Sequence, residues 1–300
     1  GGTNCLFPGL FDGPEEKLGR LDPPIRLGTS SWSAQDWKGP FYPPRARPGD
    51  FLKHYALHFD AVECDATFYA TPAERTVEGW RAKTPEGFLL ASKLPREITH
   101  DRGMVDCRDI LTDHLRVMSA LGSRLGPIVA QFAYMPRGRD AREHASGDDF
   151  RQRLRAFLEH WPGEIELAVE VRNARWIAPP LLDLLRERGV GLVLPAYYTM
   201  PGPAELFAGE DPVTSDLIYV RFLGHHREMD TLVARLQAEG KRRGEWSELA
   251  LDRTDEMREW VEPLRERAAA GKRVVTFFNN HYAGYAPGSV FRFGRLWQGE

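Results

Sequence analysis

Eight short runs of apolar, β-branched or aromatic residues recur along this chain, separated by longer stretches with helical spacing. That alternation is the strongest constraint on its fold. The runs cover residues 25–28, 61–69, 88–93, 127–132, 165–171, 190–194, 217–222 and 273–278. Between them, 115–121 carries apolar residues at helical spacing, and 150–161 does the same through Phe150, Leu154, Phe157, Leu158 and Trp161. Two further helices are expected over 181–188 and 257–270. Gly189 and Gly271 follow them, each where a helix commonly stops.

Strands that alternate with helices indicate parallel βαβ units, whose right-handed crossovers lead to a closed barrel or an open doubly wound sheet. A count of eight and a repeating part of about 250 residues, the size of one such barrel, favour the α/β TIM-type (β/α)8 barrel as a single domain over residues 25–300. Residues 1–24, rich in Gly and Pro, read as an irregular N-terminal extension. The polar stretch 137–149 reads as a solvated loop after the fourth strand. No G-x-G-x-x-G follows the first strand and no P-loop motif occurs, which argues against dinucleotide and nucleoside-triphosphate chemistry.

The formal net charge is −3, so there is no overall basic excess of the kind that phosphate neutralisation on nucleic acid requires. Three cysteines, Cys5, Cys64 and Cys107, form neither an even set nor a CxxC pair, and a reducing cytoplasm is the expected setting. No apolar run is long enough to span a membrane. The opening Gly1-Gly2, without Met and without a basic-then-apolar pattern, reads as a processed or tag-derived end.

In such a barrel the side chains at the C-terminal strand ends face the functional pocket. The first run ends in Ser30, Ser31 and Trp32, and the second carries Glu63 and Asp65 at period two, then Thr67 and Tyr69. The third ends in Lys93 with His100 beyond it, and the fourth offers Gln131. The fifth carries Glu170 and Arg172 at period two. The seventh carries Arg221 with His225 and His226 after it, and the eighth ends in Asn279, Asn280, His281 and Tyr282. Charges inside apolar strands are costly unless paired. Lys93, Arg172 and Arg221 are the cations available to balance Glu63, Asp65 and Glu170, either as a scaffold or as an acid–base site.

Several of these segments together resemble a known family. They are Gly28-Thr29-Ser30-Ser31-Trp32 with Phe41-Tyr42-Pro43, Val62-Glu63 with Thr67-Phe68-Tyr69, and Lys93 with Ile98-Thr99-His100. Gln131, Glu170-Val171-Arg172 with Trp176, Tyr219-Val220-Arg221, and Phe278-Asn279-Asn280-His281 with Gly284 and Ala286-Pro287 complete the pattern. It is similar to the domain of unknown function 72 (YecE-like) family over about 25–293. The resemblance implies a TIM barrel. It also implies likeness in overall fold to endonuclease IV and sugar-isomerase barrels, for which nucleic-acid or hydrolase roles follow only by analogy. Asp65 departs from the family pattern, which usually has Asn there.

The expected activity is a metal-independent hydrolase acting on an anionic or polyhydroxylated substrate, a phosphate ester or glycoside. Glu63, Glu170, Lys93 and His100 are the candidate catalytic residues. Trp32, Asp65, Tyr69, Gln131, Arg172, Arg221, Asn279 and Asn280 are the candidate substrate contacts. Arginine forks suit phosphate or carboxylate, and amides suit hydroxyls. The carboxylates near Lys93 favour an electrostatic role for it over a Schiff base. No metal ligands and no cofactor are assigned, because the histidines lack ligand spacing and three cations stand near the carboxylates. The expected partner is a small anionic or sugar-like ligand, and nucleic acid is less favoured. The competing readings are a metal-dependent endonuclease IV-like repair enzyme and a non-catalytic anion- or metabolite-binding barrel.

Overall fold

The computed structural model describes residues 18–136 and 147–300. Its strands are β1 Arg26–Thr29, β2 Ala61–Cys64, β3 Leu89–Lys93, β4 Leu125–Gln131, β5 Leu167–Glu170, β6 Gly191–Tyr197, β7 Leu217–Gly224 and β8 Arg273–Phe278. They form one parallel sheet in the order β1-β8-β7-β6-β5-β4-β3-β2. The two ends of that order meet through a parallel bridge between Ser30 and Glu63. With helices on the connections, this is the TIM-type (β/α)8 barrel that the alternation predicts.

The helices are α1 Phe51–Tyr55, α2 Ala66–Tyr69, α3 Glu74–Ala82, α4 Arg108–Met118, α5 Asp148–Leu158, α6 Pro179–Arg188, α7 Pro203–Leu206, α8 His226–Ala238, α9 Thr254–Ala269, α10 Asn280–Ala283 and α11 Ala286–Trp297. Of the expected loop over 137–149, residues 137–146 lie outside the described residues, while Asp148 and Asp149 form the acidic first turn of α5. Of the expected extension, residues 1–17 lie outside the described residues.

The chain divides into two compact units. Of the described residues, the first comprises those up to Glu63 with Ala196–Tyr198 and Val220–Glu300. Its interior is aromatic: Phe222 and Phe278 stack at 4.4 Å with 9° between their planes, and Phe293 lies 5.5 Å from each. Helix α11, which packs on β1 and β8, supplies Phe293. Gly28 of β1 is required by close approach. A Cβ there would stand 2.0 Å from the Ala61 carbonyl oxygen and 2.8 Å from the Tyr55 hydroxyl. That hydroxyl accepts the Thr29 amide at 2.8 Å and donates to the Ala61 carbonyl at 2.8 Å, so it pins β1.

The second unit comprises Cys64–Pro195 and Thr199–Tyr219. Here β3, β4 and β5 pair in parallel, with Gln131 opposite Glu170. Helix α5 buries Phe150, Leu154, Phe157 and Leu158 along one face, the same residues whose spacing predicts it. Two prolines open α6, and Gly189 closes it in the left-handed region at φ 64°.

Two sequence expectations are corrected. The second strand stops at Cys64 rather than running to 69; Asp65 stands at the N-terminal end of α2 without a side-chain capping bond, and Thr67 and Tyr69 lie on that helix. Asp65 therefore does not share a strand face with Glu63. The fifth strand ends at Glu170, so Arg172 lies in the following segment. In both cases a β-rich run continues past the last ladder partner, and composition alone does not show where pairing stops.

Candidate functional site

In the first unit, Glu63 and Arg221 form a buried ion pair whose side chains are 0% and 2% exposed. Arg221 donates from Nε to both carboxylate oxygens at 3.1 and 3.0 Å, and from Nη2 to Oε1 at 2.9 Å. The Ser30 hydroxyl is a third donor and adds a fourth hydrogen bond, to Oε1 at 3.1 Å. With so many charge-assisted bonds, the pair is a rigid element tying β2 to β7 and to the end of β1. The sequence leaves Lys93, Arg172 and Arg221 open as partners for the three carboxylates; the structure gives Arg221 to Glu63 and Lys93 to Asp65.

Ser31, next in the chain, holds a positive φ of 70° that non-glycine residues rarely adopt. Its amide donates to the Glu63 carbonyl at 2.6 Å, and its carbonyl accepts the Thr29 hydroxyl at 2.7 Å. Strain of this kind concentrates at functional sites. It immediately precedes Trp32, which is half-buried and whose carbonyl accepts the Tyr42 hydroxyl at 2.6 Å.

At the end of β8, the Asn279 side-chain oxygen accepts the His281 amide at 3.0 Å and faces His281 Nδ1 at 3.1 Å. The Asn280 oxygen accepts Trp37 Nε1 at 3.2 Å and the Ala286 amide at 2.9 Å. Both asparagines fasten the backbone turn after β8. His281 Nε2 lies 2.9 Å from Asp230 Oδ1 on α8.

In the second unit, Lys93 at the end of β3 pairs with Asp65 at 3.1 Å and lies 5.5 Å over the Phe68 ring. The buried Thr67 hydroxyl fixes its backbone, donating to the Lys93 carbonyl at 2.8 Å and accepting its amide at 3.1 Å. Glu170, at the end of β5, has a fully buried side chain, and Arg172 Nε and Nη2 each approach its Oε2 at 2.7 Å. The side chains of Lys93 and Arg172 are 12% and 13% exposed. Each cation is thus paired on its inner side and keeps a limited face to solvent. Gln131 is half-buried at the end of β4, and Tyr69 is 74% exposed on α2.

His100 sits on a π-helical turn, Glu97–Asp101, a backbone form concentrated at functional sites. Its ring meets Phe68 edge-on at 5.0 Å, and Nδ1 is 2.8 Å from the Thr99 hydroxyl. Its pKa is held below the usual histidine value, first by burial and then by the positive charges of Arg96, Lys93 and Arg172, against the opposing pull of Asp101. His100 is therefore neutral near pH 7 beside a concentration of positive charge. Arg96 was not singled out from the sequence, because an exposed arginine at the start of a short helical turn carries no local signature.

Sequence reasoning placed His225, His226 and His281 past their strand ends but missed Tyr197, Tyr198 and Trp246, which join them in a run of rings in the first unit. The adjacent tyrosines escaped because the sixth run was ended at 194, whereas β6 extends to Tyr197. Among the described residues, no three His, Cys, Asp or Glu side chains gather in metal-ligating geometry. Among those residues, too, no helix is long and apolar enough to cross a membrane.

Comparison with known proteins agrees with this architecture. The solved DUF72 family protein from Thermotoga maritima superposes with a TM-score of 0.67 at 28% identity, over 91% of this chain and 99% of that one. The UPF0759 protein YunF of Bacillus subtilis is 27% identical over 278 residues, 87% of this chain and 90% of YunF. The UPF0759 protein YecE of Escherichia coli is 32% identical over 178 residues, and that match spans 58% of YecE and 57% of this chain. The family model described as "Protein of unknown function DUF72" matches residues 26–300. The chain belongs to the DUF72 family.

Proposed function

We propose that this chain is a hydrolase that binds an anionic, hydroxyl-bearing substrate at the ends of β3 and β5, with His100 as the proton-transfer group. The reading rests above all on the electrostatics of His100, whose pKa is lowered first by burial and further by the charges of Arg96, Lys93 and Arg172. Cations that depress a neighbouring imidazole would also attract a phosphate or carboxylate. A neutral imidazole is the protonation state in which histidine accepts a proton from an attacking water.

In this reading Lys93 and Arg172 bind the anionic group. Asp65 and Glu170 hold those cations in place rather than acting on substrate, and the fully buried Glu63 does the same for Arg221. Gln131 and Tyr69 are the substrate contacts for hydroxyl groups and a ring face. The test is a panel of chromogenic phosphate esters and glycosides assayed with the parent and with His100→Asn. Turnover by the parent that falls by about 10²–10⁴-fold in the variant, the usual contribution of a general base, supports the assignment.

The burial of Glu63 and Glu170 favours one alternative, in which the same cations bind an anionic metabolite without turnover. That alternative gains if phosphate or a phosphorylated ligand raises the melting temperature while the whole panel stays unreacted.

A further inference from the structure

Six rings of the first unit touch in sequence. Trp246 lies 4.5 Å from His281, and His281 lies 4.3 Å from His226. His226 is 6.3 Å from Tyr197, Tyr197 is 4.8 Å from Tyr198, and Tyr198 is 3.8 Å from His225. They come from the C-terminal ends of β6, β7 and β8 and from the segment between α8 and α9. Tyr198 is 58% exposed, and the other five are half-buried. We infer that this arc is a stacking platform for a neutral carbohydrate. The inference does not rest on the anion-binding reading, because none of its residues belongs to that locus.

Two of the rings are held through their own nitrogens, and two more residues are held through their backbone amides. His281 is held between Asn279 and Asp230. His225 caps α8, its Nδ1 accepting the Glu228 amide at 3.2 Å. The Trp246 amide donates to Asp36 at 3.0 Å, and the Tyr198 amide donates to the Gly224 carbonyl at 3.3 Å. Gly224 itself has φ 70°, and a Cβ there would stand 2.9 Å from the His281 carbonyl oxygen and the Tyr282 Cα. Only glycine lets β7 pass this close to the turn after β8. Partly exposed rings on residues already anchored in this way lose less freedom on binding a ligand than rings on a free loop.

Charge decides which flat ligand fits. Carboxylates stand beside two of the imidazoles, Asp230 at 2.9 Å from His281 and Glu228 at 3.7 Å from His225. They would repel the phosphates of a nucleotide or polynucleotide. They suit the hydroxyls of a sugar, which donate to carboxylate oxygens while the apolar face of the pyranose lies on tyrosine or tryptophan.

The test titrates the full chain with maltotriose, cellotriose, xylotriose and chitotriose, read by tryptophan fluorescence and by saturation-transfer NMR. At least one should bind saturably, with transfer to the sugar C–H protons. Tyr198→Ala should weaken that binding about fivefold or more, the low end of what one stacking platform contributes. Its melting temperature should stay at the parent value, since the ring is largely exposed. Trp246→Phe, which keeps a ring, should bind more tightly than Trp246→Ala. The proposal is overturned if no neutral trisaccharide binds, if Tyr198→Ala binds as the parent does, or if adenosine and uridine bind and the sugars do not.

Discussion

Arg221 grips Glu63 with two nitrogens across 2.9–3.1 Å while both side chains are cut off from water. A pair of this kind is worth little against an apolar replacement of similar size, yet breaking it strands a buried charge. Arg221→Met alone should therefore cost about 3–5 kcal/mol, seen as a lower denaturation midpoint in urea. Replacing both residues, as Arg221→Met with Glu63→Leu, should restore most of the loss. Equal destabilisation by the single and double variants would show that the pair does not act as a unit.

His100 gives a pH prediction. Burial is the largest cause of its lowered pKa, with Arg96, Lys93 and Arg172 adding to it. An NMR titration should place its midpoint below the unperturbed value of about 6.5. Lys93→Met removes one repelling cation and should move that midpoint upward. If His100 is the base, the acid limb of kcat/KM should move the same way in the same variant. A midpoint unchanged by Lys93→Met would separate the lysine from the histidine.

Buried His114 couples stability to pH. Burial lowers its pKa to about 4, and its Nδ1 lies 2.8 Å from the Thr71 hydroxyl. In the unfolded chain the imidazole titrates near 6.5, so between about pH 6.5 and 4 protons bind the unfolded state first. The histidine's contribution is therefore fully present above pH 6.5 and is lost as pH falls toward 4, amounting to about 3 kcal/mol. Urea midpoints measured from pH 7 to 4.5 should fall, and His114→Gln should flatten that part of the curve.

Gly28→Ala tests the close approach of β1 to β2. The added methyl would meet the Ala61 carbonyl oxygen at 2.0 Å, a backbone atom that cannot swing aside. The cost should reach about 3 kcal/mol, the upper range for overpacking. The Tyr55 hydroxyl should also lose one of its backbone bonds. Thermal unfolding checks the first expectation, and hydrogen exchange at the Thr29 amide checks the second.

The sequence by itself determined the architecture. Eight β-rich runs alternating with amphipathic stretches could close as a parallel barrel, and the buried faces of α5 and α6 follow the same apolar spacing that predicts them. It also determined which residues carry charge next to the strands, because unpaired charge in an apolar run is too costly to be accidental. Tertiary structure decided the partners. Of the three cations the sequence offers, Glu63 took Arg221, 158 residues away, and Lys93 took Asp65, which had left its strand for the start of a helix. Period two fixes the face of a strand only while the ladder lasts, and the ladder's end is set by the neighbouring strand. The six-ring arc was hidden for the same reason. Its members lie on three strand ends and a loop between two helices, and no local pattern links residues that meet only when the chain folds.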